Sequence, residues 1–127
     1  MTLTGCRVGT LNYVVDGDTV DVDGIRVRLI GYDTPERGQC GYAEAKARVA
    51  QLVGDSKVVV LTVDGRDVTD RYRRELAYVR RDDIDLGRVL ISEGLAHARY
   101  DGLDGYGRHP LQDEYRALDA STPNLCE

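Results

Sequence analysis

Five stretches of the chain have the composition and the alternation of β-strands. Residues 7–15 are rich in β-branched and aromatic side chains, and residues 19–23 alternate with a period of two. Asp23-Gly24 is a strong tight-turn signal, so a hairpin with a return strand at 25–32 is predicted. Gly31 inside that return strand indicates a bend or a close backbone approach. The predicted strands cover residues 7–15, 19–23, 25–32, 57–63 and 75–80.

Three segments have the spacing of helices. YAEAKARVAQLV at 42–53 combines strong helix formers with apolar residues at helical intervals. Asp85 is an N-cap for the short helix LGRVLISE, which ends at Gly94. A last helix is predicted over 111–120, after the glycine-rich loop DGLDGYGRHP. Hairpins in the first half with helices interspersed indicate an α+β fold, in which a small barrel or curled sheet carries the helices.

Length and composition are those of a globular protein with one core. The chain has 127 residues, of which 42% are hydrophobic and 31% charged. We expect a single domain over 1–127, with 1–6 and 121–127 as terminal extensions, and a monomer. The sequence shows neither an apolar run of the roughly 18 residues that a membrane span needs nor a signal peptide after Met1. We therefore expect a cytoplasmic protein, or a secreted or cell-surface one if a leader was removed.

The net charge is −5, which argues against a sequence-blind nucleic-acid coat, because such proteins bind through a wide basic surface. It is compatible with an enzyme that has a local basic cleft or a bound cation.

Three cysteines make an odd count without a C-x-x-C pair, which argues against a structural zinc site. Cys40 lies in a predicted loop and Cys126 is the penultimate residue. A disulfide between them in an oxidising compartment and three unconnected thiols, with Cys6 as the third, are equally compatible with the sequence.

Carboxylates crowd at the open end of the predicted hairpin. A turn centred on Asp23-Gly24 sets Thr19 opposite Arg28, so Asp16, Asp18 and the segment 33–36 lie at the same end as this arginine. Like charges at short range raise one another's pKa and cost stability. Either a bound cation compensates them, or the side chains splay apart into solvent.

Oxygen ligands without nearby His or Cys favour calcium or magnesium over zinc. The spacing excludes an EF-hand, since with Gly24 at the loop glycine the first and last ligands would be Thr19 and Ile30. A metal beside an arginine is a common clamp for a phosphoryl group, and a carboxylate outside the metal shell can activate water. The residues therefore indicate phosphodiester hydrolysis.

The segment TDRYRRELAY at 69–78 adds positive charge. Its arginines are either solvated charges along a strand edge or a second phosphate clamp, with Tyr72 contacting a phosphate or a base.

Three motifs in order resemble the staphylococcal nuclease (thermonuclease) family. They are VDGDTV at 15–20, RLIGYDTPE at 28–36 and DRYRRELAY at 70–78, and the resemblance runs from about residue 14 to 100. It implies a five-stranded OB-fold barrel with three α-helices. The implied activity is calcium-dependent endonuclease cleavage of DNA and RNA to 3′-phosphate ends. The alternative from a different functional class is a catalytically inactive OB-fold module that only binds nucleic acid.

The resemblance also implies roles for individual residues. One Ca²⁺ per chain would be held by the carboxylates of Asp18 and Asp33 and the backbone carbonyl of Thr34, with Asp16 just outside these ligands. The catalytic residues would be Arg28, Glu36 as general base, and Arg74. The substrate contacts would be made by Tyr72, Arg73 and Tyr100.

Two departures from the family pattern are visible. Arg74 follows Arg73 where the family usually has a glycine, and Glu75 is a candidate partner for either arginine. The glycine-rich loop and the tail resemble a bacterial subgroup with a loop-to-tail cysteine pair, which would be Cys40 and Cys126.

We expect His97 and His109 to have packing, surface or loop roles, and Tyr13, Tyr32, Tyr78 and Tyr115 to lie in the core.

Overall fold

The computed structural model describes residues 5–63 and 74–126. The strands are β1 (Gly5–Asp16), β2 (Thr19–Val22), β3 (Ile25–Leu29), β4 (Tyr32–Asp33), β5 (Val58–Val63), β6 (Glu75–Arg81), β7 (Ile84–Asp85) and β8 (His97–Ala98). The helices are α1 (Tyr42–Val53), α2 (Leu86–Ser92) and α3 (Gln112–Ser121), with a short 3₁₀ helix at Gly102–Asp104. None of the helices in these ranges is long and apolar enough to cross a membrane.

Five strands form a closed barrel. The sheet order is β3-β2-β1-β5-β6-β7, and a parallel pairing of β3 with β6 closes it. β1 belongs to both halves, since its first residues pair with β5 and its last residues pair with β2. Register shifts between Leu11 and Tyr13 and between Val14 and Asp16 bend this strand around the barrel. The predicted α+β fold, a five-stranded barrel with three helices, is confirmed.

The barrel interior is filled by aliphatic side chains at alternate strand positions. Val27 and Leu29 of β3 are buried, whereas Arg28 between them lies on the outer face. α1 covers one end of the barrel with its buried residues Ala45, Val49, Leu52 and Val53. Burial of such side chains contributes about 1.5–3 kcal/mol each for Val and Leu, which makes this core the main source of stability.

A second cluster is aromatic and packs α3 against the barrel. Tyr115 contacts the rings of Tyr32, Tyr78 and His109 edge-on, with centroids 5.7–6.4 Å apart. The Tyr115 hydroxyl donates to the carboxylate of Asp85 at 2.5 Å, and this carboxylate also caps α2 by accepting from the Arg88 N–H. Three of the four predicted core tyrosines are buried, but the prediction is wrong for Tyr13, which is 50% exposed on β1.

His109 also differs from the prediction of a loop role. Its ring is 1% exposed and lies within hydrogen-bond distance of the Tyr78 hydroxyl, with 2.5 Å from Nδ1 to the oxygen. This histidine is a core residue of the aromatic cluster, because the loop before α3 folds inward at this point.

Most local boundaries agree with the sequence pattern. α1 has the predicted limits, and Asp85 caps α2 as expected. The return strand ends at Leu29 instead of continuing to Tyr32, because Gly31 has a φ of +85°. A Cβ on Gly31 would lie 2.4 Å from Nε2 of His109, so both the bend and the close approach indicated by this glycine are present.

Replacement of Gly31 by Ala tests this close approach, and Gly24→Ala is the matched control. Gly24 has nearly the same φ, +84°, but nothing lies within 4 Å of its Cβ position. We expect the control to lose about 1–2 kcal/mol of unfolding free energy from the left-handed backbone alone. Gly31→Ala should lose about 1–3 kcal/mol more from the overpacked His109 ring. Urea denaturation followed by circular dichroism measures both values, and equal losses would contradict the packing argument.

Candidate active site at the open end of the hairpin

The hairpin has the predicted register. Thr19 pairs with Arg28 and Val22 with Ile25, and the Leu29 N–H donates to the carbonyl of Asp18 at 2.9 Å. Asp23 and Gly24 have φ values of 53° and 84°, the two positive angles of a type I′ turn. The turn therefore fixes which residues reach the open end of the hairpin.

Asp18 links the hairpin to the segment after β4. Its Oδ1 accepts from the Thr19 hydroxyl at 3.0 Å, and its Oδ2 accepts from the Thr34 N–H at 3.1 Å and the Thr34 hydroxyl at 3.3 Å. Burial alone would raise the pKa of Asp18, but the Arg28 guanidinium and these hydrogen bonds hold the pKa below its usual value. Asp18 is therefore a fixed, ionised carboxylate.

Arg28 lies between two carboxylates. Its Nη2 is 3.4 Å from Oδ2 of Asp18 and 3.9 Å from Oδ1 of Asp33, and its Nη1 donates to the Leu29 carbonyl at 2.9 Å. The side chain is only 12% exposed, and its Cζ lies 5.4 Å from the ring centroid of Tyr100. These contacts hold the guanidinium in one orientation at the mouth of the site.

The three carboxylates outnumber the two arginines that act on them, Arg28 and, at Asp33, also Arg99. Asp16 accepts the Asp18 N–H through its Oδ1 at 3.1 Å, and burial together with the neighbouring Asp18 raises the pKa of Asp16 to about 6. Burial and the Asp18 charge also raise the pKa of Asp33. Ionised together, Asp16, Asp18 and Asp33 leave an excess of negative charge around Arg28, so a further cation would be bound favourably.

Tyr32 sets the distance between the two acid-bearing segments. Its buried hydroxyl donates to the carbonyl of Gly17 at 2.8 Å, and Gly17 is the residue between Asp16 and Asp18. A Cβ on Gly17 would lie 2.7 Å from the Thr34 side chain and 2.9 Å from Ala45. Sequence reasoning assigned Tyr32 to the core alone and missed this hydrogen bond, because no local pattern shows which carbonyl a buried hydroxyl reaches.

Glu36 lies on the exposed loop that follows Asp33-Thr34-Pro35. Its N–H donates to Oε1 of Gln39 at 2.8 Å, and the Gln39 N–H returns to the Glu36 carbonyl at 2.9 Å. A disulfide joins Cys40, at the far end of this turn, to Cys126, with 5.9 Å between the Cα atoms. Cys6 is an exposed free thiol. The loop that carries Glu36 is thus tied to the C-terminal tail.

Arg74 precedes β6, the strand that closes the barrel beside β3. Val27 pairs with Glu75 and Arg28 with Leu76, so Arg74, the residue before Glu75, lies near the start of β3. Glu75 forms an ion pair with Arg7 of β1. Tyr72 and Arg73, the other candidates on this segment, lie outside the described residues.

Tyr100 lies beside Arg28 with a left-handed backbone, at a φ of +59°. Its N–H donates to Oδ2 of Asp104 at 2.7 Å. His97 is not part of this group, since its Nδ1 lies 3.0 Å from Oδ1 of Asp119 on α3. The structure thus brings Asp16, Asp18, Arg28, Asp33 and Tyr100 together, with Thr34 hydrogen-bonded to Asp18.

The donor atoms fit a hard cation. Carboxylate oxygens of Asp18 and Asp33 and the main chain at Thr34 are oxygen donors of the kind that calcium and magnesium prefer. Within residues 5–63 and 74–126, no group of three or more His, Cys, Asp or Glu side chains is arranged to hold a metal. The implied donor set contains two carboxylates and one carbonyl, so most of the remaining coordination would fall to water and substrate.

The raised pKa of Asp16 leads to a prediction for the metal-free protein. Because the folded-state pKa, about 6, exceeds the ordinary 3.8, ionisation of Asp16 reduces stability as the pH rises through this range. Asp16→Asn in chelator should therefore be more stable than the wild type above pH 6, by on the order of 1 kcal/mol since the group is half-exposed. Below about pH 4 this gain should disappear.

Asp55→Asn is the matched control, because Asp55 is an exposed carboxylate in the turn after α1. Chemical denaturation at a series of pH values measures the difference for both variants. A stability difference for Asp16→Asn that is the same at pH 4 and pH 8 would contradict the charge-crowding argument.

Comparison with known proteins identifies the family. A family model described as "Staphylococcal nuclease homologue" matches residues 26–121. The thermonuclease of Staphylococcus intermedius is 38% identical over 114 residues, covering 83% of this chain and 62% of that protein. The micrococcal nuclease of Shigella flexneri is 33% identical over 108 residues, covering 74% of this chain and 60% of that protein.

A third relative is the SPbeta prophage-derived endonuclease YokF of Bacillus subtilis, 39% identical over 103 residues, which cover 72% of this chain and 34% of that protein. The aligned parts thus span between about a third and three fifths of the length of these relatives. The family match extends over most of the chain, from β3 to the end of α3. The chain belongs to the staphylococcal nuclease homologue family.

Proposed function

We propose that this chain is a calcium-dependent endonuclease that hydrolyses phosphodiester bonds of DNA and RNA with broad specificity and leaves 3′-phosphate ends. The observation that carries the proposal is the Arg28 guanidinium, held between the carboxylates of Asp18 and Asp33 at 3.4 and 3.9 Å. The nuclease names of its relatives support the same class of reaction.

We assign one role to each residue of the proposed site. Asp18, Asp33 and the Thr34 carbonyl would hold the cation, which when bound supplies positive charge to a phosphate oxygen. Arg28 binds the scissile phosphate and stabilises the negative charge that develops in the transition state, and Arg74, directly before the strand that pairs with β3, would add a second guanidinium. Glu36 accepts a proton from the attacking water as the new P–O bond forms, and the 5′ oxygen leaves with the electron pair of the broken bond and takes up a proton from solvent.

Before a cation and substrate bind, Arg28 takes the place of the cation beside the carboxylates. In the protein alone its guanidinium neutralises part of the charge on Asp18 and Asp33. A cation bound by the same carboxylates would weaken their attraction for Arg28, which leaves its donors available to a phosphate. Substrate would therefore bind more tightly in the presence of the cation than without it.

The activity is tested by release of acid-soluble nucleotides from denatured DNA with calcium, with magnesium or with chelator. We expect calcium-dependent release, and losses of at least about a hundredfold in kcat for Glu36→Gln and Arg28→Ala. The matched controls are Glu93→Gln and Arg48→Ala, an exposed ion pair between α2 and α1 with 2.8 Å between Nε and Oε1. They should retain activity within about twofold, since exposed pairs contribute little.

Three outcomes of this assay contradict the proposal in different ways. Folded wild-type protein that releases no nucleotide in any metal, while still binding the DNA, would favour the inactive OB-fold binding module. Release that persists in chelator would overturn metal dependence. Equal losses in the control pair and the site pair would show that the site lies elsewhere.

The role of Tyr32 can be tested by calcium binding in the absence of substrate. Tyr32→Phe removes the hydrogen bond to the Gly17 carbonyl that fixes the Asp16-Gly17-Asp18 turn. We expect calcium affinity, measured by isothermal titration calorimetry without substrate, to fall about three- to tenfold, the equivalent of one hydrogen bond.

Tyr115→Phe is the control for this prediction, because it also removes a buried tyrosine hydroxyl, but one that bonds Asp85 at the start of α2. It should lower thermal stability and leave calcium affinity unchanged. Equal calcium affinities for the wild type and Tyr32→Phe would show that the turn does not depend on this hydroxyl.

A further inference from the structure

A cavity of about 530 Å³ lies next to the site, between β8, the loop after it and α3. Its volume is within the range of about 300–1,000 Å³ that is typical of small-molecule sites. Its lining includes His97, Arg99, Tyr100, Tyr106, Arg116 and Asp119. Tyr100 is shared with the candidate active site, because Arg28 lies against its ring. The cavity is thus a continuation of the mouth of the site.

Two exposed tyrosines form one wall of this cavity. The rings of Tyr100 and Tyr106 meet edge to face, with centroids 5.4 Å apart and planes at 88°. They are 39% and 62% exposed, in a chain whose Tyr32, Tyr78 and Tyr115 are buried. Exposed aromatic faces beside a phosphate-binding group are the usual stacking platforms for unpaired bases.

The loop that carries these tyrosines is held by a network of hydrogen bonds. Arg116 of α3 donates to both oxygens of the buried Asp101, at 2.7 and 2.9 Å, and to Asp104 at 3.0 Å. Asp104 in turn accepts the N–H of Tyr100, and the Asp101 carbonyl accepts the N–H of Tyr106 at 3.0 Å. The left-handed backbone of Tyr100 costs free energy that these bonds offset, which is typical of functional loops.

Arg99 adds an exposed positive charge beside the site, where it acts on Asp33 and partly offsets the rise of that carboxyl's pKa. Its side chain is exposed, and within residues 5–63 and 74–126 it forms no ion pair. The other charged groups of the lining are paired, Arg116 with Asp101 and Asp104, and His97 with Asp119. Among the cationic side chains of this lining, Arg99 is thus the one that no carboxylate of the described residues holds in a direct ion pair, so a phosphate would not have to displace such a partner.

We infer that this cavity is a subsite for a second nucleotide of the substrate strand, in which Tyr106 contacts the base and Arg99 binds the phosphate that follows the scissile one. The inference rests on the proposed nuclease function and extends it, since it assigns roles to Tyr106, Arg99 and the loop at 100–107. Single strands fit the subsite better than duplex, because a base must be unstacked to reach the tyrosine.

The test is binding of 5′-fluorescein oligothymidylates of one to eight nucleotides, measured by fluorescence anisotropy in calcium with the full chain carrying Glu36→Gln to prevent cleavage. Tyr106→Ala and Arg99→Gln are compared with Tyr13→Ala and Arg48→Gln, which alter an exposed tyrosine on β1 and a partly exposed arginine on α1 that pairs with Glu93. Thermal melts check that all four variants are folded.

We expect the four variants to bind the mononucleotide equally. With longer strands, Tyr106→Ala should bind at least about fivefold more weakly than its control. Arg99→Gln should lower the slope of log K against log salt concentration by about 0.7, the value for one phosphate contact on a single strand. When Tyr106→Ala and Arg99→Gln are made in the chain that retains Glu36, cleavage of the octamer should show a raised KM and an unchanged kcat.

The outcomes separate this inference from the proposed function. If the parent chain binds no oligonucleotide of any length, the nuclease proposal itself fails. If it binds and affinity rises with length, but Tyr106→Ala and Arg99→Gln behave like their controls, the subsite is overturned and the nuclease proposal stands. If both variants weaken mononucleotide binding as much as octamer binding, they act on the scissile position and the second subsite is likewise overturned.

Discussion

The parallel pairing of β3 with β6 is the constraint on which the site depends. It closes the barrel and pairs Arg28 with Leu76. The strand that carries Arg28 therefore lies beside the strand that directly follows Arg74. Without this closure β3 would be an open edge, with its backbone groups exposed to solvent. The same pairing turns Val27 and Leu29 into the core and Arg28 outward, because side chains alternate along a strand. One register therefore fixes both the packing of the interior and the direction of Arg28.

The crowded carboxylates at the open end of the hairpin lower the stability of the folded protein. Burial raises the pKa of Asp16 to about 6 and also raises that of Asp33, which means that the folded protein resists ionising these groups. A fold selected for stability alone would replace one of the acids or add a second cation. The proposed cation would account for this arrangement, because the crowding that costs free energy in the protein alone would contribute to binding free energy when a cation enters. Stability would then be exchanged for affinity at this point of the barrel, as is common at functional sites.

Local signals predicted more of this protein than non-local ones. The Asp23-Gly24 turn determines its hairpin through positive φ angles, and the Asp85 cap and the limits of α1 follow from short-range preferences, so these elements were predictable. Gly31 signalled a bend but not that β3 would end as early as Leu29, and the partner of its close approach, His109, lies 78 residues further along the chain and leaves no local signal. The Tyr32 hydroxyl, the inward turn of His109 and the exposure of Tyr13 were missed for the same reason, because side-chain partners across the fold leave no mark on local pattern. The acids and Arg28 were found because their crowding is itself local in sequence.

The loop that carries Glu36 has two anchors of different kinds. At its start, the N–H and hydroxyl of Thr34 bond to Asp18, so the loop begins from the carboxylate that organises the hairpin. At its end, Cys40 is bonded to Cys126, and the tail is fixed in turn because the Leu125 N–H donates to the Gly94 carbonyl after α2. An exposed loop held at one end only would sample many positions, and a general base must stay within hydrogen-bond reach of its water. The disulfide to the C-terminal tail therefore restricts where the carboxylate of Glu36 can lie, as the role proposed for this residue requires.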